Sequence, residues 1–123
     1  MIVVGLGFRA AADTASLRAA CAAVLGGRRA DALATVADKA EAPALRALAA
    51  EMGLPVIAVA RADLAGQQVA TQSERVAQRF GTGSVAEAAA LAASGGRLVG
   101  TRVVSDDGMA TAALAAAKEG WNE

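Results

Sequence analysis

The sequence predicts a single α/β domain over residues 1–123, a three-layer α/β/α sandwich around a mixed, mostly parallel sheet of about five strands that ends in an antiparallel hairpin. Three observations predict it. Short apolar runs alternate with capped helical segments, two strand-like runs near the end flank a tight-turn pair, and no linker, repeat or low-complexity tract divides the chain. A chain of 123 residues can build one real core and is too short for two ordinary domains.

Met1–Gly5 reads as a short buried strand, with Gly5 and Gly7 allowing a tight turn at positive φ behind it. A helix should start near Asp13 or Thr14, both good N-caps; Leu17, Cys21, Val24 and Leu25 fall on one face before Gly26 and Gly27 stop it. Ala32–Ala37 is a second strand. Pro43 suits the first turn of a second helix, with Leu45, Leu48 and Met52 as its inner stripe up to Gly53. Leu54–Ala60 is a third strand, β-branched as expected of one covered on both faces. Thr71 and Glu74 have capping-box spacing ahead of a helix ending at Phe80 and Gly81. Ser84 and Glu87 repeat the device before "VAEAAALAAS" and Gly95–Gly96. Arg97–Val104 and Met109–Ala116 pair across "SDDG", where Asp107 and Gly108 make the turn, and "KEGWNE" is a loosely docked end.

Composition narrows the function. Twelve basic and twelve acidic residues cancel, so no overall field holds nucleic acid or an anionic membrane, and any attraction for a charged ligand is local. Aromatic residues make up 2% of the chain, which argues against base stacking. No apolar run has membrane-spanning length and no signal peptide is evident, so the expected location is cytoplasmic. Histidine and tyrosine are absent and Cys21 is the lone cysteine, so no intrachain disulfide and no protein-held metal is expected. Cys21, on the first helix stripe, reads as a small core residue rather than a nucleophile.

"GLGFRA" satisfies the loose G-x-G-x-x-A dinucleotide fingerprint after a strand. A pyrophosphate cradle needs the helix to begin within the motif, whereas the best caps here come several residues later. A second feature gives that edge more weight. Loops after parallel strands emerge on one side of a sheet, so Arg9, Lys39 and Arg61, following the first three strands, would converge on one crevice suited to carboxylates or phosphates. Asp13, Asp38 and Asp63 are equally placed to pair with them as solvated surface ion pairs. A further candidate is "FGTGSVAEAAAL", where Gly81, Gly83, Ser84 and first-turn amides can hold an anion. Glu87 is either the capping partner of Ser84 or a general acid or base, and Ser73 is first a cap and second a ligand contact.

"GLGFR", "LATVADKAEAPAL", "GLPVIAVARADL", "TQSERV" and "GTGSVAEAAALAASGG", in this order and spacing, resemble the CobE family of cobalamin biosynthesis and the C-terminal domain of CbiG over essentially the whole chain. The resemblance implies a corrin-ring pathway. In it CbiG is the cobalt-precorrin hydrolase that opens a ring lactone and releases a two-carbon fragment, and CobE belongs to the oxygen-dependent route. By position, Gly5, Gly7 and Arg9 match the first-loop motif, Lys39 the second-strand lysine and Ser73 the start of an S-x-x-V element. Ser84, Val85, Glu87 and Ala88 match the late helix motif, which Gly83 precedes. Many relatives carry a cysteine and a further basic residue in the first loop, where Phe8, Ala10 and Ala11 stand here, so a role for a loop thiol is not implied. The N-terminal domain of full-length CbiG is not among these residues, so hydrolase activity does not transfer automatically with the resemblance.

A corrin intermediate carries acetate and propionate arms on a large apolar ring, and scattered cations with free amides suit it better than a single phosphate nest. The expected function is binding of such a carboxylate-rich precorrin or corrinoid, as a carrier or accessory factor beside other cobalamin-pathway enzymes, with no cofactor. One alternative is a hydrolase-like enzyme using Glu87 or Lys39 for proton transfer, with Arg9 stabilising developing carboxylate charge. The other is nucleotide binding at the glycine motif. Oligomeric state is not legible in the sequence.

Overall fold

The computed structural model describes residues 1–67, 69, 72 and 84–117. In chain order these form β1 (Ile2–Phe8), α1 (Thr14–Leu25), β2 (Ala32–Val36), a 3-10 turn (Ala37–Lys39) and α2 (Pro43–Met52). They continue with β3 (Val56–Val59), α3 (Arg61–Ala65), α4 (Val85–Ser94), β4 (Arg97–Val104) and β5 (Ala110–Ala116). Of the expected helix over residues 71–80 only Gln72 is described, and the expected loose end at 118–123 lies outside the described residues.

Capping chemistry sets the helix ends. Asp13 Oδ1 accepts the Ser16 N–H at 2.9 Å to start α1, Ser84 Oγ accepts the Glu87 N–H at 3.2 Å to start α4, and Pro43 opens α2. Gly26, Gly53 and Gly95 close the three helices in the left-handed conformation that glycine adopts without a Cβ penalty. The short α3 was not legible as a separate element.

The five strands lie in the order β3-β2-β1-β5-β4. β1, β2 and β3 are mutually parallel, β5 runs antiparallel beside β1, and β4 is antiparallel to β5 at the far edge. The hairpin thus joins the parallel half through its second strand, which the sequence order alone does not reveal. Strand side chains alternate between two cores. Val4 and Leu6 pack with Leu17, Leu45, Leu48 and Leu114 under α1 and α2, whereas Val3 packs with Val36, Val59, Leu64, Val85 and Ala88 under α4. The expected α/β/α layering and mixed sheet are therefore present. Among the described residues no helix is long and apolar enough to cross a membrane.

Two expectations need correction. β1 does not end at Gly5: it continues to Phe8, pairing along its full length with β5, and neither Gly5 nor Gly7 has positive φ. The glycines serve packing instead of turning. A Cβ on Gly5 would lie 1.9 Å from the Ala86 carbonyl oxygen and 2.7 Å from the Ala90 nitrogen, so their absence lets α4 seat directly on β1. β3, in turn, is covered only in part: as an edge strand it packs Val56 against one core and Ile57 and Val59 against the other, while Ala58 is exposed.

Candidate functional site

The sequence-predicted residues Gly7, Arg9 and Lys39 lie at the carboxyl ends of β1 and β2. Val85 and Ala86, in the first turn of α4, lie against Gly7, which places the N-terminal end of that helix over the same edge. Its amides add partial positive charge there.

Lys39 closes the 3-10 turn that follows β2, and this turn folds its side chain back over β1. Its Nζ donates to the Phe8 carbonyl and stands 5.1 Å from the Phe8 ring centroid. Beneath it, buried Thr35 donates from Oγ1 to the Leu6 carbonyl at 2.7 Å, fixing β2 against β1 just below the edge. The second-strand cation is thereby held next to the chain as it enters Arg9. Arg9 is exposed, and its backbone N–H donates to the Met109 carbonyl at 2.9 Å. Among the described residues no carboxylate forms an ion pair with its guanidinium.

Arg61 does not present itself in the same way. At the first position of α3 it forks onto Asp38, with Nε 3.2 and 3.0 Å from the two carboxylate oxygens and Nη2 on Oδ2. The solvated ion pair open to all three cations is thus the arrangement found at Arg61. Asp13 is occupied as the cap of α1.

Of the other sequence-predicted residues, Gly7 is half-buried at the edge, and Ser84 and Val85 form the start of α4. Gly5, Glu87 and Ala88 lie in the interior. Glu87 is fully buried, and its Oε2 accepts the Arg102 N–H at 3.1 Å, in the stretch of β4 where the register with β5 shifts between Gly100 and Val103. A bulge leaves a residue outside the ladder, and this carboxylate satisfies the displaced donor. Ser73 and Gly83 lie outside the described residues.

The glycine motif sits inside β1 and α1 begins only at Thr14, so the glycine turn leading straight into a helix that cradles a pyrophosphate is not built here. Cys21 is buried beside Met52, its sulfur 3.9 Å from the methionine sulfur, and burial pushes its thiol up to about 11. It is an inert core residue at neutral pH. Among the described residues no group of three or more histidine, cysteine, aspartate or glutamate side chains could hold a metal ion.

The edge includes one feature that the sequence reading missed. The β4–β5 turn brings Ser105, Asp107 and Met109 beside the Arg9 loop, because Phe8 pairs with Ala110. No local signal in "SDDG" reveals this, since it follows from β5 inserting next to β1.

Residues 2–115 match the family model described as cobalamin synthesis G C-terminus. The crystal structure of CobE, a protein from the cobalamin (vitamin B12) biosynthetic pathway, is similar to this chain with a TM-score of 0.82 and 36% identity, covering 94% of this chain and 89% of that one. The cobalamin biosynthesis protein chiG from Agrobacterium tumefaciens str. C58 superposes with a TM-score of 0.72 at 35% identity, covering 96% of this chain and 99% of that one. No curated protein matches the chain.

Proposed function

The chain belongs to the CobE and CbiG C-terminal family of cobalamin biosynthesis proteins, and we propose that within that pathway it binds a carboxylate-rich corrin intermediate at the carboxyl edge of β1 and β2. It would hold the intermediate or pass it to another enzyme of the pathway. The observation that carries the reading is the Lys39 ammonium anchored on the Phe8 carbonyl, one residue before the exposed Arg9. Two cations that follow separate strands are thus neighbours at one edge, and two separate charges suit two carboxylate arms better than one compact phosphate. Because the twelve basic and twelve acidic residues cancel, attraction for such a ligand has to come from a local arrangement of this kind.

Binding without turnover fits these residues best. Of the two alternative proton-transfer groups, Glu87 is buried and accepts the Arg102 N–H of β4, and Lys39 donates to the Phe8 carbonyl.

An absorbance titration with a corrin whose acetate and propionate arms are all free carboxylates tests the proposal. Wild-type protein should give a saturable spectral change with no change in ligand mass. Arg9→Ala should weaken binding by roughly tenfold or more, as expected for losing a charge-assisted hydrogen bond. A flat wild-type titration overturns corrin binding; a changed ligand mass replaces the carrier role with an enzymatic one.

A further inference from the structure

We infer that Asp107, on the β4–β5 turn, is a positioning residue that fixes the Arg9 loop in its ligand-binding geometry; this rests on the corrin-site reading above. Asp107 Oδ1 accepts from Ser105 Oγ at 2.6 Å and from the Met109 N–H at 3.0 Å, which locks the turn itself. Its other oxygen, Oδ2, is contacted by Ser16 Oγ in the first turn of α1. Ser16 is buried, and its hydroxyl also lies 3.0 Å from Asp13 Oδ1. A hydroxyl has one proton to donate. Of its two carboxylate neighbours Asp107 is the closer, so the hydroxyl joins the turn to the start of α1 by a charge-assisted bond.

Arg9 lies between these fastenings. On one side its N–H donates to the carbonyl of Met109, the residue whose own N–H is held by Asp107; on the other, Asp13 and Ser16 begin α1. Within the loop the Ala12 N–H donates to the Arg9 carbonyl at 3.0 Å. The backbone from Phe8 to Asp13 is therefore gripped at both ends by a turn that Asp107 organises. Donors from Ser105 first, then Ser16 and the Met109 N–H, hold the Asp107 carboxyl below the usual aspartate range, so the acceptor stays ionised at neutral pH. Nothing in this arrangement requires Asp107 to touch the ligand; its effect passes through Arg9.

The test measures corrin affinity, with the same free-carboxylate corrin, for wild type, Asp107→Ala, Asp107→Asn, Arg9→Ala and the Asp107→Ala/Arg9→Ala double variant. Asp107→Ala should weaken binding several-fold and flatten its salt dependence toward that of Arg9→Ala, because a misplaced guanidinium no longer contributes its charge. In the Arg9→Ala background the Asp107 change should cost little more, whereas a purely structural residue would give additive losses. Asp107→Asn keeps an acceptor oxygen on the turn and should recover part of the affinity. Additive losses, or wild-type affinity in Asp107→Ala, overturn the proposal.

Amide hydrogen exchange without ligand separates the two readings. Asp107→Ala should speed exchange at Arg9 and Ala12 while leaving central β1 amides slow. If wild-type protein fails to bind the corrin, the site reading falls with the affinity consequence, and the exchange result alone decides whether Asp107 fastens the loop. Unchanged exchange at Arg9 and Ala12 overturns that fastening.

Discussion

A methyl group added at Gly5 would meet the Ala86 carbonyl oxygen at 1.9 Å, and that oxygen belongs to the backbone of a helix packed on the sheet, so nothing flexible can move aside. At Gly7 the nearest atom to an added Cβ is Thr111 Oγ1 at 2.8 Å, the end of a side chain that can rotate away at the loss of its hydrogen bond to the Gly7 carbonyl. Gly5→Ala should therefore destabilise the protein by about 3 kcal/mol, near the upper end for overpacking, and Gly7→Ala by roughly 1 kcal/mol. Urea midpoints of the two variants check the order; equal losses would mean that α4 shifts to accommodate the methyl. The contrast also shows why the motif misleads as sequence. Two glycines after an apolar run read as a turn, yet the atoms that demand Gly5 lie on Ala86 and Ala90, far along the chain. Arg9 and Lys39 were legible as edge residues because each follows a strand recognisable from its own composition. The bond from Lys39 to the Phe8 carbonyl was not, since it depends on how the 3-10 turn folds back.

At the scale of elements, α4 was legible from both ends: Ser84 as cap, Gly95 as stop, and an alanine-rich body suited to close packing. What escaped the sequence was the second partner of its Glu87, because capping-box spacing says nothing about a β-bulge on another strand. The helix and the edge strand are coupled through that carboxylate, which accepts the Arg102 N–H. Glu87→Ala would remove the acceptor, orphan a backbone donor and leave a small void. It should cost about 2 kcal/mol or more, while Glu87→Gln retains a carbonyl oxygen and should recover part of that loss. Thermal unfolding of both variants checks this. If the bond is what matters, the difference between them should appear in faster exchange of the Arg102 amide as well as in the midpoint. Edge position likewise bears on β3. Its β-branched composition is that of a covered strand, and both cores reach it through Val56, Ile57 and Val59, but Ala58 is exposed and its place at the edge is a property of the whole sheet.

For the whole molecule, strand order predicts a hierarchy of opening. β2, β1 and β5 are hydrogen-bonded on both sides, whereas β3 and β4 are edges, and β4 is further weakened by two register shifts. The slowest amides should be those of Val3, Val4, Leu114 and Ala115, fully buried in the inner strands, with Ile57 and Val99 opening at lower free energy. The candidate site draws its anchors from the slow part. Phe8 ends β1, Lys39 follows β2, and the turn carrying Asp107 leads into β5, so opening of either edge need not disturb the cations. Binding of a free-carboxylate corrin should accordingly slow exchange at Arg9 and Ala12 and across the β4–β5 turn while leaving Ile57 and Val99 unchanged. Protection that instead spread along β4 or β3 would place the ligand on a sheet edge and remove the Arg9 loop from the site.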